Sequence, residues 1–288
     1  MTKKLSLLLM PALLSALPLC ANADEGEQTY GWSAVLNKAG LEVSSTEIKN
    51  SEEYKSSPDS KLSGDSETVI KGIFYFSMIK EAEKYKLDNN LFMEYGKTKL
   101  RPADGPNVEN ETADKILLSS DYARKIWRYW DADVGPFAQI AYQTEFKAND
   151  DAPRTKVVRG TSGVKMFDGK YIKNMYAALV GEYDFTYNSK KTTKLAYEVG
   201  VDAVYPLREG VDFNFESYFR DYVAYSTYNP KDFEYELSVK ANMLVDICNG
   251  LAMGPYLQYF QATDRGSSKY GASTIIGVEG SYSGSWNL

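Results

Sequence analysis

The sequence predicts an all-β protein: a 12-stranded antiparallel up-and-down transmembrane β-barrel with a cleaved N-terminal signal peptide. Three observations lead to this prediction. Apolar and polar residues alternate with a period of two, the alternating segments are long, and short turns alternate with longer loops along the chain. A period of two indicates β-strands, because successive side chains of a strand point to opposite faces.

The alternation is clearest between residues 170 and 248. From Leu195 to Leu207 every odd position is apolar or aromatic, whereas the even positions include Glu198 and Asp202. A half-buried strand of a soluble sandwich alternates too, so strand length has to decide. These segments run roughly 13–18 residues, whereas globular strands have about 5–6 and about 9–11 suffice to cross a bilayer. We therefore expect the apolar face to contact lipid.

Residues 1–23 are predicted to be a secretory signal peptide. Two lysines precede an apolar stretch from Leu5 to Leu19, and the small-x-small triplet Ala21–Ala23 follows it. This is the arrangement of a bacterial signal with its cleavage site. We expect the barrel to comprise residues 24–288.

Turn residues divide the rest of the chain into twelve segments, an even number, as in single-chain bacterial outer-membrane barrels. The segments are Thr29–Val43, Glu67–Lys84, Asn89–Arg101, Thr112–Trp130, Val134–Phe146, Arg154–Phe167, Lys170–Asn188, Thr193–Leu207, Val211–Ser226, Asp232–Cys248, Leu251–Thr263 and Lys269–Leu288. The fourth does not keep one phase, which indicates a bulge near Ala123.

The connections also fit a barrel with both termini on the periplasmic side. Short turns follow the even strands: Asp168-Gly169 and Asn249-Gly250 accept φ > 0, and Leu87-Asp88 is predicted to be another turn. Longer connections follow the odd strands, and two long external loops are predicted at about 44–66 and 102–111. This alternation is typical of outer-membrane barrels.

Aromatic residues on the outward phase should gather at the two membrane interfaces. The external belt is predicted to contain Tyr183, Phe185, Tyr187, Phe233, Tyr235, Tyr259 and Tyr270. The periplasmic belt is predicted to contain Tyr205, Phe213, Tyr282 and Trp286.

Charge and residue content exclude several functions. The chain has 33 basic and 39 acidic residues without a basic stripe, so we expect no nucleic-acid partner. It has no histidine, which removes the usual general base of hydrolytic barrels and the common zinc ligand. Inward carboxylates such as Glu198 and Asp202 are what any polar lumen supplies. We therefore expect no enzymatic activity, no catalytic residues, no metal site and no cofactor.

Charged residues of both signs occupy the inward phase and are the candidate lumen lining. They are Glu145, Arg159, Lys165, Glu182, Asp184, Glu198, Asp202, Glu216, Arg220, Glu234, Glu236, Lys240, Asp246 and Glu279. Two outcomes stay open. The charges pair across the interior and plug it, or they line a narrow wet passage whose acidic excess favours cations and neutral polar solutes.

Part of the chain resembles a known pattern. The residues concerned are Asn90-Leu91, Tyr95-Gly96-Lys97-Thr98-Lys99, Thr112, Asp114, Ser120, Tyr122 and Tyr142-Gln143-Thr144-Glu145-Phe146. They resemble uncharacterised bacterial outer-membrane proteins of the DUF3078 and DUF481 type, which implies a barrel of unassigned role. The C-terminal segment from Tyr282 to Leu288 resembles the insertion signal of outer-membrane proteins, which implies recognition by the barrel-assembly machinery.

These observations favour a porin-like protein of the Gram-negative cell outer membrane, surrounded by phospholipid and lipopolysaccharide. The first functional hypothesis is a narrow channel or uptake pore for small polar solutes. The second is a non-conducting structural or surface-interaction barrel that acts through its external loops. A third, a periplasmic β-rich binding protein, predicts solubility without detergent. A fold does not fix a function, so these hypotheses need the structure.

Overall fold

The computed structural model describes residues 30–50, 53, 62, 68–100, 108–148, 153–187 and 191–288, with only the main chain at 97–100 and 108–112. The strands are β1 (Gly31–Lys49), β2 (Thr68–Glu81), β3 (Tyr85–Leu100), β4 (Val108–Arg124), β5 (Trp127–Tyr129), β6 (Ala132–Thr144), β7 (Lys156–Phe167), β8 (Ile172–Asp184), β9 (Thr192–Arg208), β10 (Val211–Tyr225), β11 (Phe233–Cys248), β12 (Leu251–Asp264) and β13 (Gly271–Asn287). The predicted signal peptide, 1–23, lies outside the described residues and stays a prediction.

All strand pairs are antiparallel and form one closed ring. Each strand pairs with its neighbours in sequence, except that β4 pairs with β6 rather than with β5, and β1 pairs with β13. The short strand β5 continues β4 alongside β6, so twelve strands form the wall and β5 is an addition. The predicted all-β, twelve-stranded antiparallel barrel is therefore confirmed.

No helix among the residues that the structure describes is long and apolar enough to span a membrane.

One predicted turn is wrong. The connection between β2 and β3 lies at residues 82–84, where the Ala82 amide donates to the Tyr85 carbonyl at 2.9 Å. Asp88 is instead inside β3, paired with Ile79. The prediction failed because polar residues occupy both phases around Asp88, as they do in a turn. The actual turn contains no glycine or asparagine that would have indicated it.

The first external loop is shorter than predicted. Strand β1 continues to Lys49, and Ser44 and Thr46 pair with Gly277 and Ile275 of β13. Polar residues of the inward face therefore belong to the strand rather than to the predicted loop at 44–66. For the second loop, predicted at 102–111, β4 already begins at Val108, and residues 101–107 lie outside the described part of the chain.

The tightest turns have the predicted chemistry. Asn249 and Gly250 both have positive φ, at 41° and 84°, as a two-residue hairpin turn requires. Asp168 also has positive φ, at 58°, but this connection runs over residues 168–171 because β8 begins at Ile172. The external connections are longer, as predicted, with the first at residues 50–67.

The irregularity expected near Ala123 is present two residues later. Lys125 and Ile126 interrupt the strand, and their amides donate to the carbonyls of Lys84 and Val134 at 2.9 and 3.0 Å. Ala123 itself faces inward and is buried in a small apolar cluster with Phe137 and other side chains of β7 and β8. Because of this interruption, the alternation of inward and outward residues in β4 does not continue into β5.

Apolar side chains cover the outside of the barrel and remain exposed there. Leu179, Ile276 and Ile140 are 63%, 62% and 62% exposed. Many predicted belt residues are exposed as well, and Tyr205 stacks on Tyr171 with ring centroids 5.5 Å apart. Phe233 is an exception. A register shift between residues 233 and 235 turns it inward, where it packs against buried Phe260 and its neighbours.

Candidate functional site in the barrel lumen

Two glutamates from adjacent strands form the centre of the first lumen cluster. Glu42 of β1 and Glu279 of β13 are register partners, and both are fully buried. The Lys240 ammonium lies 2.7 Å from a Glu42 oxygen and 3.2 Å from a Glu279 oxygen. Lys38 approaches Glu279 at 2.7 Å, and Lys71 approaches Glu42 at 2.9 Å. We call these five residues the glutamate–lysine cluster.

Further neutral and charged side chains contact this cluster. Asn242 donates from its Nδ2 to Glu279 at 2.9 Å, and Lys71 also contacts Glu94 of β3 at 3.3 Å. Lys240 lies over the Tyr256 ring, 4.9 Å from the centroid. The buried charges are thus paired and hydrogen-bonded, which is the condition under which a buried carboxylate is tolerated.

A second cluster lies on strands β7 to β11 and shares β11 with the first. Arg220 contacts Glu236 at 2.5 Å and also forms an ion pair with Glu198. Arg159 contacts Glu182 at 2.7 Å, and Lys194 contacts the same carboxylate at 3.2 Å. We call these six residues the arginine cluster.

Tyrosine hydroxyls link the members of the arginine cluster. Tyr222 lies 3.4 Å from a Glu182 oxygen and 3.3 Å from a Glu236 oxygen, and Tyr176 donates to Glu198 at 2.7 Å. Each of these carboxylates therefore accepts hydrogen bonds from a tyrosine as well as from a cation, and the charge-assisted bonds are the stronger ones.

Near the external mouth, Lys194 also contacts Asp232, which lies just before β11, at 2.9 Å. Burial raises the pKa of the Asp232 carboxyl, and the charge of Lys194 opposes that shift. Asp184 lies at the margin of this group, 4.0 Å from the Lys194 ammonium.

Between the two clusters, two carboxylates lack a bound cation. Asp202 of β9 accepts a hydrogen bond from Asn174 Nδ2 at 3.0 Å, and its register partner Glu216 of β10 is exposed. Among the residues that the structure describes, no lysine or arginine forms an ion pair with either carboxylate. We call Asp202 and Glu216 the acidic pair.

The opposite wall approaches the acidic pair at Tyr75 of β2. The Tyr75 hydroxyl interacts electrostatically with both Asp202 and Glu216. Five strands of the wall separate β2 from β9 in either direction around the ring, so the two strands are diametrically opposed. Tyr75 also packs edge-to-face on Phe92 of β3, with ring centroids 6.1 Å apart. An aromatic wall therefore faces a carboxylate wall across the lumen at this height.

The periplasmic part of the lumen carries smaller ion pairs. Lys165 contacts Asp121 at 2.5 Å and lies over the Phe137 ring, 5.3 Å from its centroid. Lys86 contacts Asp168 at 2.6 Å. These contacts join β3, β4 and β7 near the short turns.

The structure places most of the predicted lumen residues in these groups. Lys240 and Glu279 belong to the glutamate–lysine cluster. Six predicted residues belong to or border the arginine cluster: Arg159, Glu182, Asp184, Glu198, Arg220 and Glu236. Asp202 and Glu216 form the acidic pair, and Lys165 pairs with Asp121.

Three predicted lumen residues lie apart from the clusters. Glu145 follows the end of β6 and accepts hydrogen bonds from the Thr155 amide and hydroxyl at 2.9 and 2.8 Å. Glu234 sits at the register shift after Phe233 and is exposed, and its place in the lumen lining stays a prediction. Asp246 is exposed at the periplasmic end of β11.

Several lumen residues were not predicted, mainly on the first four strands: Lys38, Glu42, Lys71, Tyr75, Asp88, Glu94 and Asp121. Strand β2 is apolar on both phases around Phe74, so alternation gives no inward set there. In β1, the register shift after Leu36 breaks the alternation of inward and outward positions, and Lys38 faces inward as a result. The one available signal of an inward position in β2 was Lys71, a single charged residue in an apolar run.

Other chemistry is sparse in this lumen. Within the described ranges, no three carboxylate or cysteine side chains are grouped so as to hold a metal ion. Cys248 is a free, exposed cysteine at the end of β11.

Comparison with known proteins supports the sequence resemblance over part of the chain. The family described as a protein of unknown function (DUF3078) matches residues 58–149, so the predicted partial resemblance to DUF3078 is confirmed. No curated protein matches the sequence.

Solved barrels resemble the chain at low identity. An outer-membrane channel of Pseudomonas putida F1 is 7% identical, with a TM-score of 0.45 and 92% of this chain and 100% of that chain covered. The outer-membrane phospholipase A of Escherichia coli is 9% identical, with a TM-score of 0.44 and coverages of 90% and 93%. The channel DcaP of Acinetobacter baumannii is 8% identical, with a TM-score of 0.43 and coverages of 88% and 96%.

Proposed function

We propose that the protein is an integral barrel of the Gram-negative outer membrane and forms a narrow channel for cations and small neutral polar solutes. The observation that carries this proposal is Glu216. It faces the lumen beside Asp202, it is exposed, and it forms no ion pair among the described residues. Its register partner on β11, Lys240, contacts Glu42 and Glu279 instead. An exposed inward carboxylate among otherwise paired charges supports a water-filled path at that height.

The outer surface supports the membrane location. Apolar side chains such as Leu179 and Ile276 are more than 60% exposed, and equivalent positions recur around the ring. Soluble monomers seldom expose a contiguous apolar surface of more than a few hundred Å². A closed barrel leaves no strand edges, which is what a β-structure needs in a hydrocarbon environment.

The charge distribution supports the proposed selectivity. The lysines and arginines of both clusters already contact carboxylates at 2.5–3.3 Å, so their charge is locally compensated. The acidic pair is not compensated in this way. Rings of carboxylates favour cations in a pore, and a paired guanidinium offers an anion little attraction.

A specific observation favours a second function, the non-conducting surface-interaction barrel. Leu62 of the first external loop is fully buried against Phe260 and Ala262, whose side chains lie on the inward face of β12. The loop therefore reaches into the external mouth. If this contact is permanent, the barrel acts through its external surface rather than as a channel.

Planar bilayer recording separates the two proposals. The mature chain, refolded in detergent and checked for the heat-dependent gel mobility of a folded barrel, is expected to produce stepwise conductance. A folded barrel that inserts into liposomes and stays electrically silent supports the non-conducting alternative. A chain that remains monodisperse without detergent rejects the membrane location altogether.

The partners follow from this location. We propose phospholipid and lipopolysaccharide as surroundings, small polar solutes as cargo, and the barrel-assembly machinery as the insertion partner that recognises the C-terminal strand. Trp286 in that strand pairs with Ala34 of β1 at the closing seam. The proposal includes no catalytic activity, because the chain lacks histidine and Glu198 is bound to Arg220.

A further inference from the structure

An apolar groove with a volume of about 900 Å³ lies beside β5. Its lining follows two adjacent rows of cross-strand register. One row contains Trp127, Val134, Met166, Met175, Val201 and Ser217. The other contains Val164, Ala177, Val199 and Phe219. The groove therefore runs across the strands from β5 to β10.

This groove belongs to the outer face of the barrel, separate from the lumen. Val164 and Val199 are 51% and 46% exposed, and they alternate along their strands with inward residues such as Lys165 and Glu198. Three inward-phase residues also border the groove, among them Lys165, between their outward neighbours. Because neighbouring side chains of a strand point to opposite faces, the apolar lining faces the surroundings of the barrel.

Aromatic side chains of β5 stand at the periplasmic end of the groove. Trp127 and Tyr129 line it, and they are 65% and 58% exposed. Strand β5 pairs with the first residues of β6, next to the short turn at Trp130 and Asp131. Amphipathic rings at this position are typical of the membrane interface, where one edge meets hydrocarbon and the other meets water.

A cation with unused donors lies between these two residues in sequence. Arg128 also lines the groove, and its Nη2 makes one long contact, 3.5 Å to the Asp131 carbonyl. Within the described residues it forms no ion pair. A guanidinium has five N–H donors in a planar fork that fits phosphate oxygens. An aliphatic groove that ends at such a group matches a ligand with a hydrocarbon chain and an anionic head.

We infer that the groove binds an anionic phospholipid of the periplasmic leaflet, with an acyl chain along the two rows and the phosphate on Arg128. The inference rests on the proposed membrane location, since only there does this face meet lipid. The volume lies within the range of about 300–1,000 Å³ usual for small-molecule sites. Lys165, the other cation at the border of the groove, is paired with Asp121, so a singly charged head fits better than a highly phosphorylated one.

Native mass spectrometry of the full folded barrel tests the inference, with phosphatidylglycerol and diacylglycerol, which has the acyl chains but no phosphate, as the added probes. Val199→Trp fills the groove, and Val278→Trp adds the same bulk at an outward, 51% exposed position on β13 outside it. We expect Val199→Trp to lower the retention of both lipids, while Val278→Trp behaves as wild type.

The head group is tested by Arg128→Gln, with Arg208→Gln at the end of β9 as the charge-matched control. We expect Arg128→Gln to lower the phosphatidylglycerol to diacylglycerol ratio about tenfold, the size of one hydrogen bond to a charged group. The control is expected to leave the ratio unchanged.

Equal retention in the two tryptophan variants overturns the groove as a lipid site, and an unchanged ratio in Arg128→Gln overturns the head-group assignment. The wild-type barrel could instead form dimers and carry no lipid adducts. If Val199→Trp abolishes those dimers, the groove is assigned to a second copy of the chain. Liposome insertion, measured on the same samples, reports separately on the proposed membrane location. A failure of the lipid site is therefore distinguishable from a failure of the proposed function.

Discussion

Glu42 and Glu279 face each other across the seam between the first and last strands, both fully buried, with the Lys240 ammonium 2.7 and 3.2 Å from their carboxylates. Two adjacent carboxylates in a low-dielectric setting repel each other strongly unless a cation lies between them. Lys240 comes from β11, two strands away from β13, so this contact ties the seam to the wall beyond it.

Replacement of Lys240 by Met is expected to destabilise the folded barrel by about 3 kcal/mol, because it leaves two buried carboxylates short of a cation. Urea unfolding in detergent micelles, followed by tryptophan fluorescence, measures the change. Lys80→Met removes a cation from the outward phase of β2 and should have little effect. Equal stability of both variants contradicts the proposed role of Lys240.

Gly200 permits the close approach of a tyrosine that helps hold the arginine cluster. A Cβ at this position would lie 2.4 Å from the Tyr176 ring, whose hydroxyl donates to Glu198 at 2.7 Å. We expect Gly200→Ala to displace the ring and to cost about 1–3 kcal/mol in the free energy of unfolding. The same measurement on Gly160→Ala provides the control, because a Cβ there meets no atom within 4 Å. A smaller loss at position 200 than at 160 would refute this interpretation.

Leu62 is expected to hold the first external loop in the barrel mouth. Its side chain is fully buried on Phe260 and Ala262, so Leu62→Asp places a carboxylate against an apolar surface and should release the contact. Single-channel conductance should then rise relative to wild type. Glu53→Gln, which breaks the exposed 2.8 Å pair with Lys269 but keeps Leu62, is the matched control. No gain in conductance with Leu62→Asp would mean that this contact does not restrict the path.

The strand pattern could be predicted from sequence where one face is apolar and the other charged. From Leu195 to Leu207 the alternation gave both the strand and its inward residues, because lipid-facing positions tolerate few charges. It failed at Asp88, where polar residues occupy both phases, and at Lys38, where a register shift changes the phase. Such shifts depend on the partner strand, which no local pattern records.

The pairing of charges could not be predicted, because it depends on which strands are neighbours around the ring. Lys240 and Glu42 are 198 positions apart in sequence and meet only because β13 closes on β1. The two outcomes left open by the sequence, plug or passage, both have a counterpart in the structure. The clusters pair their charges, and Glu216 remains exposed and unpaired among the described residues.

Glu216 should set the ionic preference of the channel. Glu216→Gln removes the exposed charge without changing the side-chain length, and Glu216→Lys reverses it. We expect cation preference to fall in the first variant and to fall further or invert in the second, because local charge attracts counter-ions into a narrow path. Glu234→Gln, which removes an exposed carboxylate at the external bulge, is the charge-matched control and should retain most of the preference. Similar losses in both neutral variants would argue for a diffuse field rather than a local one.

The most direct measurement of the central claim is the reversal potential of the wild-type barrel in a planar bilayer with a potassium chloride gradient. An acidic, water-filled path predicts stepwise currents whose reversal potential is shifted from zero toward the equilibrium potential of potassium. A folded, inserted barrel that passes no current, or one whose reversal potential is shifted toward the equilibrium potential of chloride, would contradict it.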